Sequence, residues 1–257
     1  MKTLLIIMLG VLSFGFLILI HEWGHFTMAR KNHVKVSDFS IGFGPTLFKK
    51  NYKGVNYRLC LLPLGGYVKM PESPLSNGSS GIVFNSASTL SKVLVLQSGS
   101  LFNIFAGYFL LMIFMGIGAF SGEFYFESLY DFFRIHFLTF LTMIKLILEV
   151  LKDLFVGVYG ISDLSGPVGI TQVLGESIAT SFDSYLFVMS FISINIGLFN
   201  LLPLPALDGM RTLFVIIEGI RKKPLSVKMQ EGIHMVGLCG LLTLIILVTI
   251  KDIASLF

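Results

Sequence analysis

The chain has 257 residues, of which 54% are apolar and only 13% charged, with a formal net charge of +4. Soluble domains carry roughly 25% charged residues, so this deficit, together with several long uncharged runs, excludes an ordinary soluble domain and points to a polytopic membrane protein in a lipid bilayer. No basic patch interleaved with aromatic residues stands out, which argues against a nucleic-acid partner, and the two cysteines, Cys60 and Cys239, lie too far apart for a disulfide framework or a cysteine metal site.

The first span covers about residues 2–29. Its seventeen residues from Thr3 to Leu19 contain no charge, and no small-residue cleavage pattern follows, so it reads as a retained helix rather than a removed signal peptide. The helix is expected to run on through His21-Glu22-Trp23-Gly24-His25 and to stop near Arg30-Lys31. Positions i and i+4 share a helical face, so His21 and His25 can grip one metal ion together. Glu22 then sits where a general base acts on water beside that ion. Trp23 reads as an interfacial anchor.

Residues 30–92 carry nine Lys/Arg against only Asp38 and Glu72, which by the positive-inside rule makes this loop cytoplasmic and puts the N-terminus outside. Within it, 34–39 and 55–59 read as short strands, with Gly42, Gly44, Gly65 and Gly66 marking turns between them. The stretch Leu59 to Met70 is too apolar for a solvated loop and too short to span. It reads as a sheet edge or loop dipping into the membrane surface. Residues 71–91 read as a flexible linker.

A second span, about 93–120, returns to the outside. From Ser121 to Asp183 the charge balance inverts, with eight acids against Arg134, Lys145 and Lys152. Inside this segment, 132–159 places Arg134, Thr142, Lys145, Glu149 and Lys152 on a narrow stripe, as in an amphipathic helix at the outer interface; a full or partial span is the alternative. The third span covers about 185–202. A basic segment with Arg211, Arg221, Lys222, Lys223 and Lys228 follows on the inside. The fourth, about 233–250, exits again, leaving the C-terminus outside.

Two histidines are an incomplete zinc site, since a catalytic site takes three protein ligands and water. Asp208, in the apolar run Asn200-Leu201-Leu202-Pro203-Leu204-Pro205-Ala206-Leu207-Asp208-Gly209, is the best third ligand, because an acid there is costly without a cation. Both His25 and Asp208 fall at inner ends of spans, separated by an even number of crossings, so they can meet. Pro203 and Pro205 stop the helix. Asn200 either holds a substrate backbone or oxyanion, or bonds carbonyls freed at the helix break. His33 reads as solvated, and His136 and His234 as structural.

These residues resemble the site-2 protease family of intramembrane zinc metalloproteases, and most closely its RseP branch. Three blocks carry the resemblance: HEWGHF at 21–26, the run from FSIGFGP at 39–45 to PLGGYVKM at 63–70, and SGPVGI at 165–170 leading to NLLPLPALDG at 200–209. The resemblance implies one Zn²⁺ held by His21, His25 and Asp208, with Glu22 as base. It implies single-span membrane proteins of the anti-sigma-factor kind, or signal-peptide remnants, as substrates in a bacterial inner membrane. Asn200, Pro203 and Pro205 match positions near the substrate. The segment 34–70 is similar to the family's membrane-associated β-hairpin, whose edge holds the substrate as an added strand. Two departures stand out. Only about 45 residues fill the interval where the branch carries PDZ domains, and Ser98-Gly99-Ser100 stands where the family has Ala-Gly-Pro.

The expected fold is therefore an α-helical polytopic membrane protein. Its four transmembrane helices carry a small β-hairpin or sheet on the cytoplasmic side, in a single metalloprotease domain over 1–257. The expected activity is peptide-bond hydrolysis in or near a transmembrane segment, with the active site toward the cytoplasmic face. A zinc-binding scaffold or holdase without turnover is the main rival, disfavoured by the retained Glu22. A metal transporter is disfavoured by the lack of further His, Asp or Glu stepping through the spans.

Overall fold

The computed structural model describes residues 2–71, 82–160 and 163–254. The interior of the expected 71–91 linker lies outside the described residues. In chain order the elements are α1 (Lys2–Lys31), β1 (Asp38–Tyr52), β2 (Val55–Lys69), a single 3₁₀ turn (Phe84–Ser86), α2 (Thr89–Ser121), α3 (Leu129–Val156), α4 (Pro167–Thr180), α5 (Phe182–Leu201), α6 (Asp208–Arg221) and α7 (Val227–Ala254). Among the described residues four helices, α1, α2, α5 and α7, are long and apolar enough to cross a membrane. The protein is thus a helical membrane protein, as its hydropathy pattern predicts, with a small β-sheet beside the helices. Helix α3 is not one of the four.

The chain gathers into two compact units. One comprises Gly15–Asn103 and Phe199–Leu241, the other Met1–Phe14, Ile104–Leu198 and Leu242–Phe257. The first is built on a core of Phe26 and Ala29 from α1, Val34 and Val36 from the following turn, Phe39 and Val55 from the sheet, and Val95 from α2. Helix α1 ends because His33 takes a left-handed conformation (φ 58°), while the Val34 amide closes back on the Ala29 carbonyl at 2.8 Å. This is the usual way a helix satisfies its last carbonyls. His33 itself is exposed, as the sequence suggests.

The sheet is more continuous than the sequence indicates. The strands are joined by a two-residue turn, Lys53-Gly54, with both φ positive (49° and 79°), the geometry that matches strand twist in a tight hairpin. Gly42, Gly44, Gly65 and Gly66 do not form turns between strands, correcting that expectation: they lie within β1 and β2. Gly42 and Gly44 have φ of 83° and 86°, and the register slips between Ile41 and Thr46, so β1 bends there. As a result 38–41 pairs twice, with 66–69 running antiparallel and with 56–59 running the same way, while 48–52 pairs with 55–59. Across the sheet the order is 48–52, 55–59, 38–41, 66–69. Asp38 ties its neighbours together, accepting from Arg58 Nη2 at 2.8 Å and from Asn56 at 3.2 Å. Beyond the bend Leu47, Phe48, Leu61 and Leu62 are exposed, which suits a sheet lying against lipid.

In the other unit, small and polar residues let helices approach, as membrane interiors favour. Ser190 on α5 donates to the Gly107 carbonyl of α2 at 2.7 Å, and Ser13 on α1 meets Tyr185 on α5 at 2.8 Å. Helix α3 begins at Ser128, whose hydroxyl caps the Asp131 amide, and ends at Gly157 (φ 81°). It buries His136, Met143, Ile147 and Leu151 on one face and exposes Arg134, Lys145, Glu149 and Lys152. His136 donates through Nε2 to the Tyr108 carbonyl at 3.1 Å. Helices α4 and α6 carry no clear signal in the sequence, which shows only a motif block and a basic segment there.

Candidate functional site

His21 and His25 sit one above the other on the buried face of α1, each only 7% exposed. Asp208 is the first residue of α6, at the end of a chain segment that leaves α5 after Leu201. Its Oδ2 lies 3.0 Å from Nε2 of both histidines, and the two Nε2 atoms are 3.1 Å apart. Three ligand atoms from residues distant in sequence thus form a nearly equilateral triangle. The helix N-terminus favours an anion at Asp208. Burial pushes the Asp208 carboxyl up, but its contacts with His21 and His25 outweigh this and hold it well below the usual carboxylate range.

The donor set fits a bound metal. The His25 Nδ1–H donates to the Val95 carbonyl at 2.8 Å, which leaves Nε2 with a lone pair facing its neighbours. Three electron-rich atoms crowded in a buried place call for a cation between them. A tetrahedral zinc with bonds of about 2.0–2.1 Å holds its ligands roughly 3.3 Å apart, close to the spacing found. The wall opposite is cut to suit. A Cβ on Gly99 of α2 would strike His25 Nε2 and lie 2.7 Å from His21 Nε2.

Glu22 follows His21 and is half-buried. Gly66 lies against its side chain, since a Cβ at Gly66 would be 3.1 Å from Glu22 Cγ. The 66–69 segment therefore runs beside Glu22. Its strand partners among the described residues all lie in 38–41, which leaves its other side as a sheet edge.

The remaining expected residues are more scattered. Gly42 packs toward the Leu62 and Cys60 carbonyls, Gly44 toward the Leu62 side chain, and Gly65 against the Phe43 ring. Asn200 is in the last turn of α5, Pro203 is exposed, and Pro205 packs against Gly237 of α7. Trp23 is exposed beside Phe26 and Phe39. Two further residues shape the site without a signal of their own in the sequence. Gly99 stands there only as part of a departure from a motif. Ser98 donates to the same Val95 carbonyl, at 2.7 Å, that His25 uses. Neither residue type signals such a role by itself.

Residues 9–244 match the model of peptidase family M50. Among similar proteins, one from Clostridium perfringens, provisionally named a zinc metalloprotease, is 27% identical over 96% of this chain and 98% of its own length. A Campylobacter jejuni protein with the same provisional name is 27% identical over 96% and 92%. Zinc metalloprotease RasP of Oceanobacillus iheyensis is 43% identical over 112 residues, 44% of this chain and 26% of its own. The alignment to the Clostridium protein runs over 333 positions against 257 residues here, so that relative carries a segment this chain lacks. With its membrane helices, its HEWGH helix and a match that spans nearly the whole sequence, the chain belongs to peptidase family M50, the site-2 protease family of zinc metalloproteases.

Proposed function

We propose that this protein is an intramembrane endopeptidase that cuts single-span membrane proteins, of the anti-sigma-factor kind, or signal-peptide remnants, in or near their transmembrane segments. The observation that carries the reading is the triangle of His21 Nε2, His25 Nε2 and Asp208 Oδ2, 3.0–3.1 Å on a side, with Glu22 beside it on the same helix. His21, His25 and Asp208 hold one Zn²⁺. When bound, the ion supplies Lewis acidity toward the scissile carbonyl and the attacking water. Glu22 takes the proton from that water and delivers it to the leaving amine.

The sheet presents the substrate. A peptide bond inside a helix is shielded, so the substrate has to unwind before attack. The free side of 66–69 offers main-chain groups to an added strand, and Gly66 keeps that strand close to Glu22. Gly42, Gly44 and Gly65 shape the bends that set the edge, while Asn200, Pro203 and Pro205 line the approach from α5. The nine basic residues of 30–92 support an orientation with this end of the protein cytoplasmic, both termini outside, and a bacterial inner membrane as the setting. Helix α3, apolar but striped with charge, lies at the outer interface.

Glu22→Gln is the decisive variant. Zinc content should stay at the wild-type level, while cleavage of a co-expressed single-span reporter falls by on the order of 10²–10⁴-fold. Normal cleavage by that variant would remove Glu22 from the role of base. Membrane fragments that accumulate only in the Glu22→Gln variant would identify the substrate, and their complete absence would favour a zinc-binding scaffold.

A further inference from the structure

The turn that delivers Asp208 carries a backbone conformation its own residues do not favour. Leu207 donates to the Leu204 carbonyl at 3.1 Å, closing a four-residue turn over Pro205 and Ala206. Ala206 has φ of 75°. That position of a type II turn normally takes Gly or Asn, because a Cβ is strained there. Something outside the turn must hold it.

Helix α7 supplies the hold. The Ala206 amide donates to Nδ1 of His234 at 3.2 Å. One helical turn further on, Gly237 leaves a notch for Pro205, since a Cβ at Gly237 would collide with the proline ring and come within 2.9 Å of its Cα. The same imidazole meets the Phe214 ring edge-on at 5.9 Å, and Phe214 is a buried residue of α6. His234 thus touches the chain on both sides of Asp208, before it at Ala206 and after it at Phe214. All of these residues lie in one compact unit.

We infer that His234 is a positioning residue for the metal centre: its Nδ1 clasps the Ala206 amide, locks the turn, and so fixes the Asp208 carboxylate opposite His21 and His25. The inference rests on Asp208 being a zinc ligand. A carboxylate at the start of a helix swings with that helix's first turn, and a displacement of a few tenths of an ångström matters for metal bonds that tolerate about 0.2 Å. The clasp makes α7 part of the centre although it contributes no ligand.

The test compares full-length wild type with His234→Asn, His234→Gln, His234→Leu and Asp208→Asn, purified in detergent. Zinc affinity is read by competition with a chromophoric chelator, and ligand geometry by the visible absorption of the Co²⁺-substituted protein. Asn carries its amide oxygen near where His carries Nδ1, so His234→Asn should stay within about threefold of wild type and keep its cobalt spectrum. Gln and Leu should weaken binding roughly 10–100-fold, with an altered cobalt band. Gly237→Ala should do the same by pressing on Pro205, and because Ala favours a helix over Gly its loss would not reflect a broken α7. Wild-type affinity and spectrum in His234→Leu, or equal losses for Asn, Gln and Leu, would overturn the clasp. If Asp208→Asn loses zinc while His234→Leu does not, only the clasp fails. Should Asp208→Asn keep its zinc, the ligand assignment beneath it fails instead.

Discussion

Gly99 sits where α2 faces both imidazoles, and a methyl there would take the space between them. A Cβ would occupy the space of His25 Nε2 and stand 2.7 Å from His21 Nε2. Gly99→Ala is therefore expected to lower zinc affinity at least about tenfold, the scale on which disturbed metal surroundings act. Elemental analysis of the purified protein checks it, and retained helicity by circular dichroism separates the effect from misfolding, since Ala strengthens a helix. This residue also marks the limit of reading the sequence. His21, Glu22, His25 and Asp208 stand out because polar groups in apolar runs demand a partner. Gly99 and Ser98 act through space they leave or a carbonyl they share across 70 or more residues of chain, and nothing in their own type or spacing announces it.

At the level of elements, the spans and the HEWGH helix were legible because their signal is a long uncharged run. The sheet was legible only in part. Short strands at 34–39 and 55–59 miss a bend that lets 38–41 pair on both sides, since a glycine with φ near 85° reads equally as a turn or as a kink within a strand. Helices α4 and α6 were hidden because each is short and carries glycines, so local propensity is weak and packing decides. The sheet's closeness to Glu22 yields a prediction. A Cβ at Gly66 would lie 2.7 Å from the Ser40 carbonyl and 3.1 Å from Glu22 Cγ, so Gly66→Ala should cut turnover about tenfold, the effect of small misplacements at a catalytic group, with zinc content unchanged. A second concerns Asp38. Burial pushes its carboxyl up, but hydrogen bonds from Ser37 and Asn56 and the Arg58 guanidinium outweigh that and hold it below its usual value. A depressed folded-state value means that its contribution is present above the unfolded value and lost as pH falls through the folded one. Protease protection of the hairpin should thus decline on acidification in the wild type, and Asp38→Asn should flatten that acid-dependent loss.

Across the whole molecule, the hold on α4 and the binding of zinc can be tested apart, because a buried carboxylate at the end of α7 ties down the start of α4. Asp252, near the end of α7, is 5% exposed. Its Oδ2 accepts from the amides of Gly166 and Gly169, each at 2.9 Å, and its Oδ1 pairs with Lys251 Nζ at 3.2 Å. Lys251 in turn donates to the Leu164 carbonyl. Those two amides belong to the N-terminal turn of α4, where a helix leaves donors unsatisfied and attracts negative charge. In sequence, Lys251 and Asp252 read only as the polar end of a span, since the partners lie more than 80 residues away. Removing the carboxylate strands two amides in a place with little water, at a cost of about 1–3 kcal/mol for each buried group left unpaired. Asp252→Ala should therefore lower the unfolding temperature in detergent by several degrees. Asp252→Asn, which keeps an acceptor but loses the charge, should fall between the two. Every partner of Asp252 named here lies in the unit that does not contain His21, His25 and Asp208. The same variants, measured below their unfolding temperatures, should then hold zinc at the wild-type stoichiometry; a parallel loss of zinc would show that the clamp on α4 and the metal centre are one cooperative structure rather than two.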